Sequence, residues 1–340
     1  FLTIDLTERV LAEAIEAEAS AVIAYHPPIW DPLARITDAT PSQRIVLGAI
    51  ERGISIYSPH TALDAVPGGI TDWLCEGLSG SDSSGKINGD CRALTPHHDR
   101  PATEEAKIVT FVPSTHVETV RNALATAGAG IIGGYKVCSF STAGAGTFLG
   151  GEGTKPAVGE AGRLESVPEV RLEMVCSKAA LPLAVQTLRR FHPYETPAFE
   201  VYELLPKPQR DFGAGRRLVL DRPVSVDELA LRLKAFLGNP YVRVADAGHT
   251  GPVRTIGVCP GSGSSLLSVA KAEGCEVFVT GELSHHQVIA TLHSGVSVIL
   301  GEHTGTERGF LPRLASRLAE SLPGVSIVVS TADRDPLRTV

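Results

Sequence analysis

Two histidine–carboxylate pairs stand in nearly copied surroundings towards opposite ends of this chain. Gly53-Ile54-Ser55-Ile56-Tyr57 leads to His60 and, four positions later, Asp64. Gly295-Val296-Ser297-Val298-Ile299 leads to His303 and, again four positions later, Glu307. Imidazole and carboxylate are the ligands that hold Zn, Mn or Fe. Side chains four apart share one helix face, so His303 and Glu307 could reach a common ion at the start of the helix that follows. A single pair of this kind is commonly a cap or a surface contact, whereas a matched second pair points to metal. His26 adds another imidazole. It ends the apolar run Ala21–Ala24 and precedes Pro27-Pro28, which stop a strand and stiffen the loop. Tyr25 is a poorer ligand, because its phenol is neutral, and is expected to pack or hydrogen-bond behind the site.

Other residues could serve such a centre. Glu282, His285 and His286 occupy the place in the later stretch that His26 occupies in the earlier one. Glu282 and His286 are therefore candidates for proton transfer, with one of the two adjacent histidines expected to face solvent. Gly261, Gly263 and Ser264, between a strand and a helix, could present N–H groups and a hydroxyl to a phosphate; an ordinary tight turn is the alternative. The loop lacks the lysine of a P-loop. Gly128 to Gly133 matches G-x-G-x-x-G but follows a helix, which is the wrong context for a dinucleotide, and reads as a turn. His192-Pro193-Tyr194-Glu195-Thr196-Pro197 precedes a strand and is read as fixing an edge or a partner contact. No Ser-His-Asp or Cys-His nucleophile stands out.

The elements that must position these residues follow from periodicity. Short apolar strands at 2–4, 21–24 and 55–57 alternate with amphipathic helices at 7–18, capped by Thr7, and 41–52. This alternation predicts a mostly parallel sheet. A polar Gly/Ser-rich stretch, residues 79–105, reads as a linker. The order β-α-β-β-α-β then spans 106–205, which suits an inserted ferredoxin-like domain, with the Gly-rich run 150–162 as a loop between two strands. Strand–helix alternation resumes in 206–340, with a helix at 226–237 and a closing strand at 326–329. The expected fold is α/β: two similar lobes, 1–105 and 206–340, related by internal duplication and flanking the insert. In open α/β sheets ligands gather at the carboxyl ends of strands, so two facing lobes would converge four His-bearing strand ends on one cleft.

Composition sets the outer limits. The 340 residues are 43% hydrophobic and 20% charged, with net charge −7 and no long basic run. That argues against a dedicated nucleic-acid or anionic-membrane binder, since both need clustered Lys and Arg. No apolar stretch reaches the about 18 residues that span a bilayer. The six cysteines include no C-x-x-C pair and mostly sit in apolar runs, which suits buried thiols in a reducing, cytoplasmic setting; nuclear or mitochondrial placement stays open because Phe1 is not a start methionine.

Four segments together carry a family resemblance: Tyr25-His26-Pro27-Pro28-Ile29-Trp30, Ser58-Pro59-His60-Thr61-Ala62-Leu63-Asp64, Thr280-Gly281-Glu282-Leu283-Ser284-His285-His286 and His303-Thr304-Gly305-Thr306-Glu307-Arg308-Gly309. They resemble the NIF-three-like family, also called GTP cyclohydrolase I type 2, over essentially the whole chain. Gly133-Gly134-Tyr135 and Phe148 through Gly153 resemble the PII-like insert of its longer members. The resemblance implies two divalent ions (Zn, Mn or Fe) held by His26, Asp64, His303 and Glu307, with His60 or His286 in support. It also implies ring-shaped homohexamers. Where many bacterial members carry two adjacent histidines this chain has Tyr25-His26, the version of the eukaryotic branch. The expected function is a metal-dependent hydrolase acting on a small molecule of purine-nucleotide type. The alternative is a transcription-linked adaptor with a protein partner and a structural or vestigial metal site.

Overall fold

The computed structural model describes residues 1–81, 85–99 and 101–337. Two compact units divide the chain: Phe1–His97 with Gln209–Val340, and His98–Pro208.

The first unit opens with a parallel sheet of β1 (Leu2–Thr3), β2 (Ala21–Ala24) and β3 (Ser55–Tyr57) in that order. Helices α1 (Glu8–Glu16) and α2 (Pro41–Arg52) connect these strands. Thr7 and Thr40 cap the two helices by accepting from Val10 N and Gln43 N, and Gly53 closes α2 in the left-handed region. Two helices follow, α3 (Thr61–Ala65) and α4 (Ile70–Leu78).

Helix α4 is buried on nearly every side. Its Ile70, Trp73, Leu74 and Leu78 join one core with Leu2, Ile4 and Tyr25 near the first sheet and with Val258, Val277, Val279 and Ile299 of the second. Its two acids are paired. Asp72 accepts from the buried Arg216 at 2.5 Å, and Glu76 accepts from both terminal nitrogens of Arg313 at 2.5 and 2.7 Å. Unpaired carboxylates there would cost several kcal/mol, on the order of 3–5.

The larger sheet runs β10 (Arg243–Ala245), β13 (Ser297–Leu300), β12 (Val277–Glu282), β11 (Val253–Ser262), β9 (Lys207–Val224) and β4 (Gly89–Asp99). Strands β11, β12 and β13 are parallel, while β10 and β9 join them antiparallel. Helices α7 (Val226–Leu237), α8 (Leu267–Ala272), α9 (His285–His293), α10 (Gly305–Arg308) and α11 (Leu311–Ser321) link or follow these strands.

Two expectations need correction. The stretch 79–105 is not simply a linker, since 89–99 forms strand β4; Asp82, Ser83 and Ser84 of its polar centre lie outside the described residues. A polar composition does not prevent an edge strand from pairing along its backbone. The segment 326–329 does not close the larger sheet. Leu2 N donates to Val328 O and Ser330 N donates to Leu2 O, both at 2.8 Å, so this segment runs beside β1 in the first sheet.

The second unit has the order β5 (Ala106–Pro113), α5 (Val117–Thr126), β6 (Phe140–Leu149), β7 (Leu164–Cys176), α6 (Leu181–Phe191), β8 (Phe199–Glu203). Its sheet is antiparallel in the order β6-β7-β5-β8. Ile108, Val112, Val120, Leu124, Leu172 and Leu188 form its core. The fold as a whole is mixed α/β with several sheets. Its six thiols are free, and no described helix is long and apolar enough to cross a membrane.

Candidate metal centre

The site is built where strands end. Backbone bonds from Tyr25 N to Thr3 O and from His26 N to Ile4 O carry the β1–β2 pairing one step past β2 and fix His26 beside Asp5. His303 and Glu307 follow β13, with Glu307 on the single turn of α10. One ligand atom from each of His26, His303 and Glu307 lies within 4.8 Å of the others. His26 Nε2 is 3.6 Å from Glu307 Oε2, and His303 Nε2 is 3.5 Å from Glu307 Oε1.

Both imidazoles are oriented the same way. His26 Nδ1 donates to Asp5 Oδ1 at 2.8 Å, and His303 Nδ1 donates to Glu282 Oε1 at 3.0 Å. A carboxylate on Nδ1 fixes the tautomer and leaves the Nε2 lone pair for an ion, as metal-binding histidines require. Asp5 is held in turn by Arg308, whose Nη2 is 3.2 Å from Asp5 Oδ2 and whose Nη1 is 2.6 Å from Asp333 Oδ2. Asp333 Oδ2 also accepts from Ile4 N at 2.7 Å.

Glu307 is the most telling residue. Its side chain is 2% exposed, and its Oε2 has no hydrogen-bond partner. Burial first, then the negative charges of Asp64 and Asp5, push its carboxyl up to about 9. Asp64 is pushed up to about 6, again chiefly by burial, even though the Tyr25 hydrogen bond acts the other way. A buried carboxyl raised by the charge of neighbouring acids is a place where a cation is favoured. The Glu307 carboxylate, one oxygen towards each Nε2, completes an N, N, O donor set that fits Zn, Mn or Fe(II).

The remaining sequence candidates fall around this group. Asp64, on α3, is outside the 4.8 Å set. Both of its carboxylate oxygens lie within hydrogen-bond reach of Tyr25 Oη, at 2.8 and 2.9 Å. Burial, then Asp64 and Glu307, raise the phenol well above its ordinary value, so Tyr25 stays a neutral donor. His60 is also outside the set, with its ring 5.8 Å from that of His26 and 5.3 Å from that of Trp30. Its backbone is strained, at φ +44°. Burial and the neighbouring His26 and His303 lower its pKa, which favours the neutral imidazole.

Glu282 takes part in the centre as the partner that orients His303. His286 does not join the set; it is exposed on α9, its ring 5.6 Å from that of His285. The loop of Gly261, Gly263 and Ser264, read as a phosphate site or a tight turn, commits two of its amides internally. Gly261 N donates to Thr306 Oγ1 and Gly263 N donates to Thr280 Oγ1, so both amides are spent inside the protein. Ser264 opens a single 3-10 turn ahead of the six-residue α8. Gly261 serves the site differently: a Cβ there would stand 2.5 Å from Glu307 Oε1 and 3.2 Å from His303 Nε2. Sequence reasoning missed Asp5, Arg308 and Asp333 as supports. An acid ending a strand–turn before a capped helix carries no spacing signal for a partner more than twenty residues away.

Comparison with known proteins points the same way. The sequence profile of Duf34/NIF3 (NGG1p interacting factor 3) matches residues 1–336. A GTP cyclohydrolase 1 type 2 homolog of Bacillus subtilis is 35% identical over 339 residues, covering 98% of this chain and 87% of that protein. NIF3-like protein 1 of Bos taurus is 35% identical over 347 residues, covering 100% of this chain and 82% of that protein. The crystal structure of a Bacillus cereus protein related to NIF3 superposes with a TM-score of 0.61 at 32% identity, covering 100% of this chain and 88% of that one.

Proposed function

Because the chain belongs to the Duf34/NIF3 family, we propose that it is a metal-dependent hydrolase whose centre holds two divalent ions and acts on a small molecule of purine-nucleotide type. The observation that carries this reading is the buried, unsatisfied Glu307 carboxylate between two imidazoles whose other nitrogens are each fixed by an acid.

His26, His303 and Glu307 would hold one ion. Asp64 and His60 would serve a second, with Glu307 placed between the two groups. Divalent ions in such a centre lower the pKa of water and polarise the bond under attack. The protein's own part is to orient and to move protons. Asp5 and Glu282 hold both imidazoles by Nδ1 with Nε2 inward, and Arg308 braces Asp5. Glu282, about half exposed (51%), is placed to pass a proton to solvent, a role for which the outlying His286 is less suited. Tyr25 holds Asp64 in place of a histidine ligand. The name of the Bacillus subtilis relative, a GTP cyclohydrolase 1 type 2 homolog, supports a nucleotide substrate.

The four strand ends that lead to His26, His60, Glu282 and His303 support reading the first unit as two duplicated lobes. The βαββαβ order of the second unit supports a ferredoxin-like, PII-like insert. A homohexamer is the assembly we propose with them. The hold of Tyr25 on Asp64 favours a second reading, in which the ions are structural and the protein serves as an adaptor, in keeping with the interacting-factor description of the family.

Metal counting with turnover separates the two. We expect the purified chain to hold two zinc, manganese or iron ions and to turn over one member of a purine nucleotide panel. His303→Ala should lower both ion content and turnover by about tenfold or more. Bound ions with no turnover across the panel would favour the adaptor, and failure to bind any divalent ion would defeat both readings.

A further inference from the structure

The second unit contains a cavity of about 320 Å³ that the metal centre does not use. Thr147, Phe148, Lys155, Glu169, Tyr194 and Glu195 line it. Two of these belong to the segment His192-Pro193-Tyr194-Glu195-Thr196-Pro197, whose residues hold one another in place. His192 is buried, and its Nε2 donates to Phe111 O at 3.0 Å. That tautomer leaves Nδ1 to accept from Tyr194 N at 3.1 Å. The Tyr194 phenol then donates to Glu169 Oε1 at 2.7 Å. Gly146 lets this carboxylate lie against the β6 backbone, since a Cβ there would meet Glu169 Oε2 at 2.1 Å. The segment thus fixes one carboxylate and one aromatic ring at the wall of a cavity.

The lining also has a consistent chemistry. The Phe148 and Tyr194 rings stand 6.5 Å apart between centroids, and the two carboxylates of Glu169 and Glu195 outnumber the single ammonium of Lys155. Aromatic faces beside fixed carboxylates are the surroundings that stabilise a partly desolvated organic cation, through cation–π attraction and charge-assisted hydrogen bonds. The volume is at the small end of ligand sites. We propose that this cavity is a binding site for a small organic cation, a guanidinium or ammonium carried on a short hydrocarbon body. Lys155 at the same cavity would meet a carboxylate on the ligand, so a basic amino acid fits better than a simple amine.

The test uses the full chain and isothermal titration with L-arginine, agmatine and L-citrulline, the last being a neutral isostere of arginine. We expect arginine to bind, with citrulline weaker by about tenfold or more. Glu169→Gln, which keeps an acceptor for Tyr194, should abolish the preference for arginine over citrulline. Phe148→Leu should weaken arginine without changing the unfolding temperature. Lys155→Ala should remove any preference for arginine over agmatine. His303→Ala should leave arginine binding intact, which separates this site from the metal centre. Equal binding of arginine and citrulline, unchanged binding by Glu169→Gln, binding of guanosine 5′-monophosphate in place of the cations, or no heat from any probe at millimolar concentration would each overturn the assignment.

Discussion

At the scale of single residues, the site is organised around charge that lacks a counter-charge. Glu307 is buried with an orphaned oxygen and is raised to about 9 by burial and by neighbouring acids. At neutral pH a carboxyl raised this far must take up a proton on folding, which costs stability; glutamine removes that cost and keeps the shape. The metal-free Glu307→Gln protein should therefore melt higher than the metal-free parent, by roughly 2–4 °C for each kcal/mol relieved, while losing zinc-dependent stabilisation. Scanning calorimetry with and without zinc measures both. Gly261 makes the complementary point about space. At φ +56° it already occupies the left-handed region, and an added Cβ would collide with Glu307 Oε1. Gly261→Ala should cost about 1–3 kcal/mol in strain, and the displaced Glu307 should weaken zinc binding by about 10–100-fold, readable in a competition titration against a chelating dye. A melting temperature and a zinc affinity equal to the parent's would show that the Glu307 carboxylate has room to move.

At the scale of elements, the segment 326–332 shows how a strand-like stretch can belong to a sheet far from it in sequence. It pairs beside β1 and is clamped to α1 by Glu13. The Glu13 carboxylate accepts from Ser330 Oγ, Thr331 N, Thr331 Oγ1 and Ala332 N at 2.5 to 3.1 Å. Burial alone would raise its pKa, but these hydrogen bonds outweigh it and hold the group at about 2 against an ordinary 4.5. A folded-state pKa below the unfolded one means that the ionised form is the stabilised form. The clamp's contribution is complete above pH 4.5 and is lost as pH falls towards 2. Protection of the Thr331 and Ala332 amides from hydrogen exchange, taken relative to the intrinsic rate at each pH, should fall across that window in the parent. In Glu13→Gln that protection should be low already at pH 6 and change little on acidification. The Thr331 and Ala332 amides matter here because the side chain accepts from both, which tethers the segment that carries Asp333 to the metal centre.

At the scale of the molecule, one core in the first unit joins Tyr25 and Leu2 to Val279, Ile299 and Phe310, with α4 packed among them. That shared core is what brings His26, from the first strands of the chain, to His303 and Glu307, from its last. An ion bound there links parts of the chain that otherwise lie far apart in sequence, so binding energy becomes folding energy. At a thousandfold excess over its dissociation constant, zinc should stabilise this unit by about 4 kcal/mol. Its thermal transition should rise on zinc addition and return on chelation. An unchanged transition at saturating zinc would mean that the three ligands do not bind a common ion.

Much was legible in the sequence because it is local. The hydrophobic period placed α2 and α7 at Pro41–Arg52 and Val226–Leu237. The repeated His-x3-acid pattern singled out His303 and Glu307 before any coordinates, because ligand type and helical spacing are properties of a few neighbouring residues. Strand β4 was hidden because an edge strand can be polar. Asp5 on His26, Glu282 on His303, Tyr25 on Asp64 and the orphaned oxygen of Glu307 belong to the tertiary structure alone. Tautomer, desolvation and mutual repulsion depend on distances between residues that the chain keeps far apart, and only packing sets those distances.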